Sequence, residues 1–332
     1  MKKQWLLSLI FTLFCGIIYG QNLIRVNNNP GADPDYLTLQ EANDNANNGD
    51  TIYVEGSATS YTGVDISKSL TIIGPGFFLS ENDSTQANGL EATTGNIYFN
   101  AGSSGSVISG IKANNTIYIY VDNIVVTRCY TQYIKFADNS DNALILQNYV
   151  YGSIQRSSTS AILTNVIIAN NIVGESISFG SNNGPLQVFN NVLFGTGVYH
   201  GIYVYNSSIA NNIITGVSAK IVENTGNTIV NNLLARDGTN ANGNQYNVVM
   251  ADVFVGFPTQ GSYSTDGKWQ LKAGSPAIGA GVSGVDCGVF GGTTPYVLSG
   301  LPAVPRIYEA VIASTAYSDQ GLQCTIKIKS GE

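Results

Sequence analysis

The chain has 332 residues, 43% of them hydrophobic and only 11% charged, with 37 Gly, 36 Asn and 19 Tyr standing where charge is usually found. A near-normal apolar fraction excludes a disordered chain, and a formal net charge of −7 argues against a surface built for nucleic acid or anionic membrane. A length above 300 usually means two domains, unless the chain is a repeat.

Residues 1–20 read as a secretory signal peptide. Lys2 and Lys3 form a positive start, the stretch from Trp5 to Ile18 is apolar, and Gly20 offers a small residue before Gln21. An uncleaved membrane anchor is the alternative, but the apolar stretch falls short of the ~20 residues of a spanning helix. Cys15 after Leu13-Phe14 is a poor match to a lipoprotein site. The expectation is export, to the medium or the outer cell surface, with the periplasm as a further possibility and no transmembrane segment after cleavage. Cys129, Cys287 and Cys324 then remain, an odd number without a complete disulfide framework. Cys324 falls on the apolar parity of an alternating strand, so buried thiols are expected for all three, with a Cys287–Cys324 bridge as the alternative.

Thr38-Leu39-Gln40-Glu41 is a capping-box pattern, which predicts a helix of about nine residues reaching Asn47. Leu39, Ala42 and Ala46 share one face of it. Gly49-Asp50 follows, then a first strand, Thr51-Ile52-Tyr53-Val54. From Val64 to Gly76 two short strands are joined by a polar corner.

The strongest signal is periodic. Asn170-Asn171, Asn190-Asn191, Asn211-Asn212 and Asn231-Asn232 each follow a β-branched or aromatic run and precede two apolar residues. Steps between the second Asn of each pair are 20, 21 and 20 residues, with degraded copies upstream at Gln147-Asn148 and Arg128-Cys129. The longer step between Asn148 and Asn171 holds residues 155–160, which read as a loop insertion. A period this short, with no helical pattern inside it, predicts one turn of a β-solenoid per repeat. Alternation agrees: Ile117, Ile119 and Val121 share one parity, as do Ile202 and Val204. Asn suits the corner because it tolerates left-handed backbone angles, and stacked amides can bond one another and the turn backbone. The ladder is read as structural.

These features together resemble bacterial right-handed parallel β-helix proteins with a pectin-lyase-like fold. The resemblance rests on the helix at residues 36–50, Gly49–Val54, Lys68-Ser69-Leu70-Thr71-Ile72-Ile73-Gly74, the Asn corners, and Ala273–Gly281 followed by Gly284–Gly292. The last passage is similar to a closing segment of secreted members from Bacteroidetes-type bacteria. The implied fold is an all-β, right-handed parallel β-helix of about 21 residues per coil with a short N-terminal capping helix. Residues 1–20 are the signal, 21–292 the capped β-helix, and 293–332 an extended segment packing back along the solenoid. The resemblance specifies no activity, because the fold hosts lyases, hydrolases, epimerases and inert adhesins.

Catalytic patterns of that group are missing. The five arginines after the signal, Arg25, Arg128, Arg156, Arg236 and Arg306, form no Arg-x-Pro-x-x-Arg pattern, and there is neither an Asp-Asp pair nor an Arg-Ile-Lys. His200-Gly201 alone matches part of the hydrolase set. Asp122, Asp138, Asp141, Glu175 and Asp237 are scattered carboxylates with no defensible pairing at hydrolase spacing. His200, the single histidine, reads better as a half-exposed corner residue than as a base beside Tyr199 and Tyr203. Residues 138–142 are oxygen-rich but lack the Gly and terminal Glu of a calcium loop, and zinc has no ligand cluster. No catalytic residue, metal site or cofactor is therefore predicted. With Ile117, Ile119, Ile202 and Val204 inward, Tyr118, Tyr120, Tyr203 and Tyr205 point outward, with Tyr133 and Lys135 between them in coil order. Tyr118, Tyr120, Tyr133, Tyr203 and Tyr205 are the candidate binding residues, suited to polysaccharide or a cell-surface glycan. The expectation is a non-catalytic surface or carbohydrate-binding protein; a polysaccharide lyase or glycoside hydrolase is the alternative.

Overall fold

The computed structural model describes residues 21–137, 140–157, 162–180, 183–197, 200–223, 226–316 and 321–331. The predicted signal segment, Asp138 and Tyr199 lie outside them. The chain winds as a right-handed parallel β-helix of about nine turns. One coil runs Val107–Ser109, Lys112–Ala113, Thr116–Ile119, and the next begins at Val125–Thr127. Equivalent strands pair in parallel into sheet 1 with ten strands, and sheets 2 and 3 with eight each. The period-two alternation places one residue of each short strand inside. In sheet 1 the inward column is Ile108, Val126, Ile145, Ile168, Val188 and Ile209. In sheet 3 it is Ile117, Ile134, Ile154, Ile177 and Ile202. All are fully buried.

The Asn doublets divide their work. The first member of each turns the corner between sheets 1 and 2 with φ of 55° at Asn170, 54° at Asn190, 59° at Asn211 and 55° at Asn231. Arg128 and Gln147 hold the same left-handed conformation in the degraded copies, at 52° and 60°. The second member points inward and is sealed from solvent. Asn171 Oδ1 accepts from the backbone N–H and Nδ2 of Asn148, and Asn191, Asn212 and Asn232 repeat the arrangement one coil on, all at 2.9–3.0 Å. Asn244 closes the ladder by accepting from Asn232. Each amide thereby satisfies buried backbone groups that the sharp corner would otherwise orphan.

The first members look outward instead, onto residues 280–301. Asn231 Nδ2 donates to Ala280 O, Asn211 Oδ1 accepts from Val282 N, and Asn190 Nδ2 donates to Asp286 O and Gly288 O. Asn170 Nδ2 donates to Val289 O and Gly291 O, Gln147 Nε2 to Pro295 O, and Arg128 Nη1 to Leu301 O. These contacts run up the solenoid in reverse coil order, so the segment is a strap clipped to successive corners. Its inner side, together with residues 250–269, covers the outer face of sheet 2. Tyr149, Ile172, Val192, Ile213 and Leu233 are buried there against Val253, Phe254, Trp269, Val289 and Tyr296. From Tyr149 onward sheet 2 is thus apolar on both faces, which is one physical reason the chain carries so little charge.

At one end of this second core, Asp266 is fully buried. Its Oδ1 accepts from Asn82 Nδ2 and Ser264 Oγ, and its Oδ2 from Ser299 N and the Tyr296 hydroxyl. Burial first, then neighbouring charge, raises the hydroxyls of Tyr149 and Tyr296 above the ordinary phenol range. A phenol so raised stabilises the fold in full below the unfolded value near pH ~10, and that contribution is lost as pH rises through the folded value. Tyr149 and Tyr296 are therefore expected to ionise only when alkali unfolds the chain. Phenolate absorbance should rise in two steps, the second coinciding with loss of β circular dichroism; complete tyrosine titration before unfolding would contradict this.

The N-terminal end is covered by helix α1, Leu39–Asn45. Its capping box forms as the sequence predicts: Glu41 N donates to Thr38 Oγ1, and Thr38 N to Glu41 Oε2. The helix stops two residues before the expected Asn47, because Ala46 is extended and Lys68 Nζ reaches the carbonyls of Asp44 and Ala46. The first strand is Leu23–Val26, earlier than expected, paired with Thr51–Val54.

The tail differs from expectation. Residues 302–304 lie over sheet 1 beside Thr71, Val107 and Thr127, but Arg306–Ile312 and Cys324–Lys329 form an antiparallel hairpin. Ile312, Ile326 and Ile328 are exposed on it, and so is Cys324. Apolar parity did not bury Cys324, since among the described residues no further layer covers it. Cys129 and Cys287 are buried as predicted, all three thiols are free, and the Cys287–Cys324 bridge is absent. Burial pushes the Cys129 and Cys287 thiols up to about 12, so neither is a nucleophile at neutral pH. In the protein from Gln21 onward, Ellman's reagent should titrate one thiol when folded and three after denaturation. Two or more fast thiols would contradict the burial.

Candidate functional site

The outer face of sheet 3 carries the predicted binding residues. In register across the sheet, Asp65 pairs with Tyr98, Tyr98 with Tyr118, Tyr118 with Lys135, Lys135 with Gln155, Gln155 with Ser178 and Ser178 with Tyr203. One outward column therefore holds two adjacent tyrosines, three intervening polar residues and a third tyrosine. Tyr118 and Tyr203 are four strand spacings apart, about 19 Å at ~4.8 Å per strand. The structure brings Tyr118, Tyr120 and Tyr133 together and leaves Tyr203 and Tyr205 as a separate pair further along.

The first cluster is a ladder of stacked rings. Tyr98 and Tyr118 lie 4.7 Å apart at 6° between planes, Tyr118 and Tyr120 5.8 Å at 18°, and Tyr98 and Tyr120 6.4 Å at 12°. Lys135 Nζ lies 4.7 Å from the Tyr133 ring centre and 5.9 Å from that of Tyr118, in cation–π range of both. Parallel rings at strand spacing turn their faces to one another. What they offer outward is a row of ring edges and hydroxyls. Asn96 Nδ2 donates to the Tyr98 hydroxyl, and Asn100 Nδ2 to Asp65 Oδ1, so the rim is amide and carboxylate. Burial, then the neighbouring phenols and Asp65, holds the Tyr120 hydroxyl above the ordinary phenol range, so it is a neutral donor at physiological pH. Such a surface makes hydrogen bonds to a polyol more readily than it stacks flat on a sugar ring.

Tyr98 is the member that sequence reasoning missed. Ile97-Tyr98-Phe99 has the same alternation as Ile117-Tyr118-Ile119, so the signal was present. What the chain does not display is how Asn96 and Tyr98 align with Thr116 and Tyr118 across a variable connection.

Of the scattered carboxylates, Asp122 and Asp141 serve the backbone. Asp141 N donates to Asp122 Oδ1 and Thr164 N to Asp141 Oδ1, a corner ladder on the edge opposite the Asn ladder. Glu175 Oε2 accepts from Ser153 Oγ, and Asp237 is exposed on the terminal loop. His200 Nδ1 accepts from Gly197 N, closing a turn. Among the described residues no group of three His, Cys, Asp or Glu is placed to hold a metal ion. Nor is any described helix long and apolar enough to cross a membrane. Comparison with protein-family models, curated proteins and solved structures finds no match to this chain.

Proposed function

We propose that this is an exported, non-catalytic β-helix protein of the pectin-lyase-like kind, acting at the cell surface or beyond by binding polysaccharide or a cell-surface glycan. The observation that carries the reading is the stacked ladder Tyr98–Tyr118–Tyr120 with Lys135 beside it, which presents hydroxyls and a cation on a rigid sheet. Rigid placement lowers the entropy cost of binding a flexible chain. Tyr203 and Tyr205 supply a second contact that an extended glycan lying along the solenoid axis would reach and a short oligosaccharide would not.

A glycan array probed with the protein from Gln21 onward tests this, with reducing-end and unsaturated-product assays on every binder. Tyr118→Ala is expected to weaken all binders about tenfold, equivalent to ~1.4 kcal/mol. Tyr203→Ala should weaken only long ones. Product formation from any binder would overturn the non-catalytic reading, and equal loss on short and long glycans with Tyr203→Ala would overturn the two-contact arrangement.

A further inference from the structure

Asn-Gly is the dipeptide at which an asparagine side chain most readily closes on its own main chain, because glycine puts no Cβ in the path of the ring. The chain holds four such pairs, at Asn48, Asn88, Asn183 and Asn242. Ring closure needs the glycine N–H as nucleophile, so the fold selects among the four by what it does with that group. Gly49 N donates to Ser69 O at 2.7 Å, and Asn48 Oδ1 accepts from Ser69 N. Gly184 N donates to Leu163 O at 2.8 Å, while the buried Asn183 has its amide on Gly184 O and Ser207 Oγ. Asn242 and Gly243 are the centre of a turn, with φ of 52° and 75°. Asn244 N closes that turn on Ala241 O, and Asn242 O accepts from Asn231 N. Closing a ring at any of these three would first have to open a bonded turn or a contact between coils.

Asn88-Gly89 is free of that restraint. Both residues are exposed, on the loop that runs from Thr85 to Leu90. Among the described residues the Gly89 N–H has no protein acceptor and Asn88 Nδ2 has no partner. A Cβ at Gly89 would meet nothing within 4 Å, so water reaches the nitrogen. Leu90 N donates to Asn88 Oδ1 at 3.1 Å. This bond draws the side chain back over the Gly89 nitrogen that lies between them. It also polarises the amide carbonyl toward attack, as a donor aimed at a developing oxyanion does.

We propose that Asn88 is a site of spontaneous deamidation, a modification that the fold confines to this one of the Asn-Gly pairs. Gly89 N, giving up its proton, attacks Asn88 Cγ; the Cγ–Nδ2 bond breaks and ammonia leaves with that proton. Water then opens the cyclic imide. Cleavage of the bond from Gly89 N to Cγ gives aspartate. Cleavage of its bond to the Asn88 main-chain carbonyl gives isoaspartate, with an extra methylene in the backbone. The position matters because Ala87 N donates to Ile307 O at 2.8 Å and Arg306 Nε to Thr85 O, the bonds that tie this loop to the base of the hairpin. Asn88 and Arg306 line the same groove there. Aspartate adds a carboxylate to that groove and keeps the backbone, whereas isoaspartate lengthens the loop next to the Ala87 bond and loosens the hairpin. This inference is independent of the glycan reading, since it uses other residues and another face.

Incubating the protein from Gln21 onward in mild alkali tests this, with peptide mapping by mass spectrometry and an isoaspartyl methyltransferase assay as readouts. Asn88 should convert first, and faster as pH rises because Gly89 N must lose its proton, while Asn48, Asn183 and Asn242 stay amides. In urea all the Asn-Gly pairs should convert at similar rates, which attributes the selection to the fold. Gly89→Ala should slow conversion severalfold without unfolding the chain, since its Cβ would stand in open space. Amide exchange at residues 306–312 should quicken in the isoaspartate fraction and stay unchanged in Asn88→Asp, which has the charge without the methylene. Retention of the Asn88 amide, or conversion of any other pair as fast in the folded chain, would overturn the assignment. Equal loosening in Asn88→Asp would overturn the part given to the lengthened backbone.

Discussion

Replacing Asn191 by Ala is expected to cost this protein on the order of 4 kcal/mol, among the largest effects of any single substitution. The Asn191 side chain makes five hydrogen bonds in a site sealed from solvent. Its Oδ1 accepts from Asn171 N and Nδ2, and its Nδ2 donates to Ile168 O, Phe189 O and Asn212 Oδ1. Ala leaves at least two buried donors of Asn171 without that partner, at ~1–3 kcal/mol each. Asn191→Asp keeps the acceptor but removes both donors and buries a charge, so it should be no better. Urea unfolding followed by circular dichroism measures the loss, and a change below ~1 kcal/mol would remove the ladder from any account of stability. The neighbouring position supplies the contrast. Asn190→Gly keeps the left-handed corner but loses the bonds to Asp286 O and Gly288 O. It is expected to spare the coils and loosen the strap, seen as faster amide exchange at residues 286–292. Equal effects at both positions would mean that the doublet has one role, not two.

Asp266→Ala is expected to free the strap and the loop at residues 77–85 together, at a cost of about 3 kcal/mol or more. Four groups from three separate segments converge on this carboxylate: Asn82, Ser264, Tyr296 and Ser299. Asp266→Asn is the sharper test. An amide still accepts on one side, but turns N–H groups toward Ser299 N and the Tyr296 hydroxyl, which are themselves donors. It should therefore approach the Ala variant despite its matching shape. Partial proteolysis reads the result, with new cleavage near residue 82 and within residues 290–301 while the coils stay intact. Full resistance in Asp266→Asn would show that shape, not charge, holds this junction.

The repeat was readable because its signals are local. Asn doublets every 20 or 21 residues and apolar alternation reflect constraints that each coil meets by itself, namely a left-handed corner and one buried side per short strand. Thr38 and Glu41 announced the capping helix in the same way, since both partners lie within one turn. Parity likewise set Tyr118, Tyr120, Tyr133, Tyr203 and Tyr205 on the outside. It could not say that the rings of Tyr98, Tyr118 and Tyr120 would stack face to face, because strand register depends on connections of unequal length. Cys324 shows the same limit. Its parity is apolar, yet burial requires a neighbouring layer, and among the described residues none covers Cys324.

What the sequence by itself determined is the unit: a coil of about twenty residues, its inward face, its Asn corner and the cap that starts the stack. Tertiary structure alone decided that the two asparagines of a doublet face opposite ways, one into the ladder and one onto the strap. It also decided that Asp266 joins segments 184 and 33 residues away. The physical reason is separation along the chain. A residue's local pattern records the backbone it must adopt, whereas contacts such as Asn170 with Gly291, 121 residues apart, exist only once the strap has found its place on the folded coils.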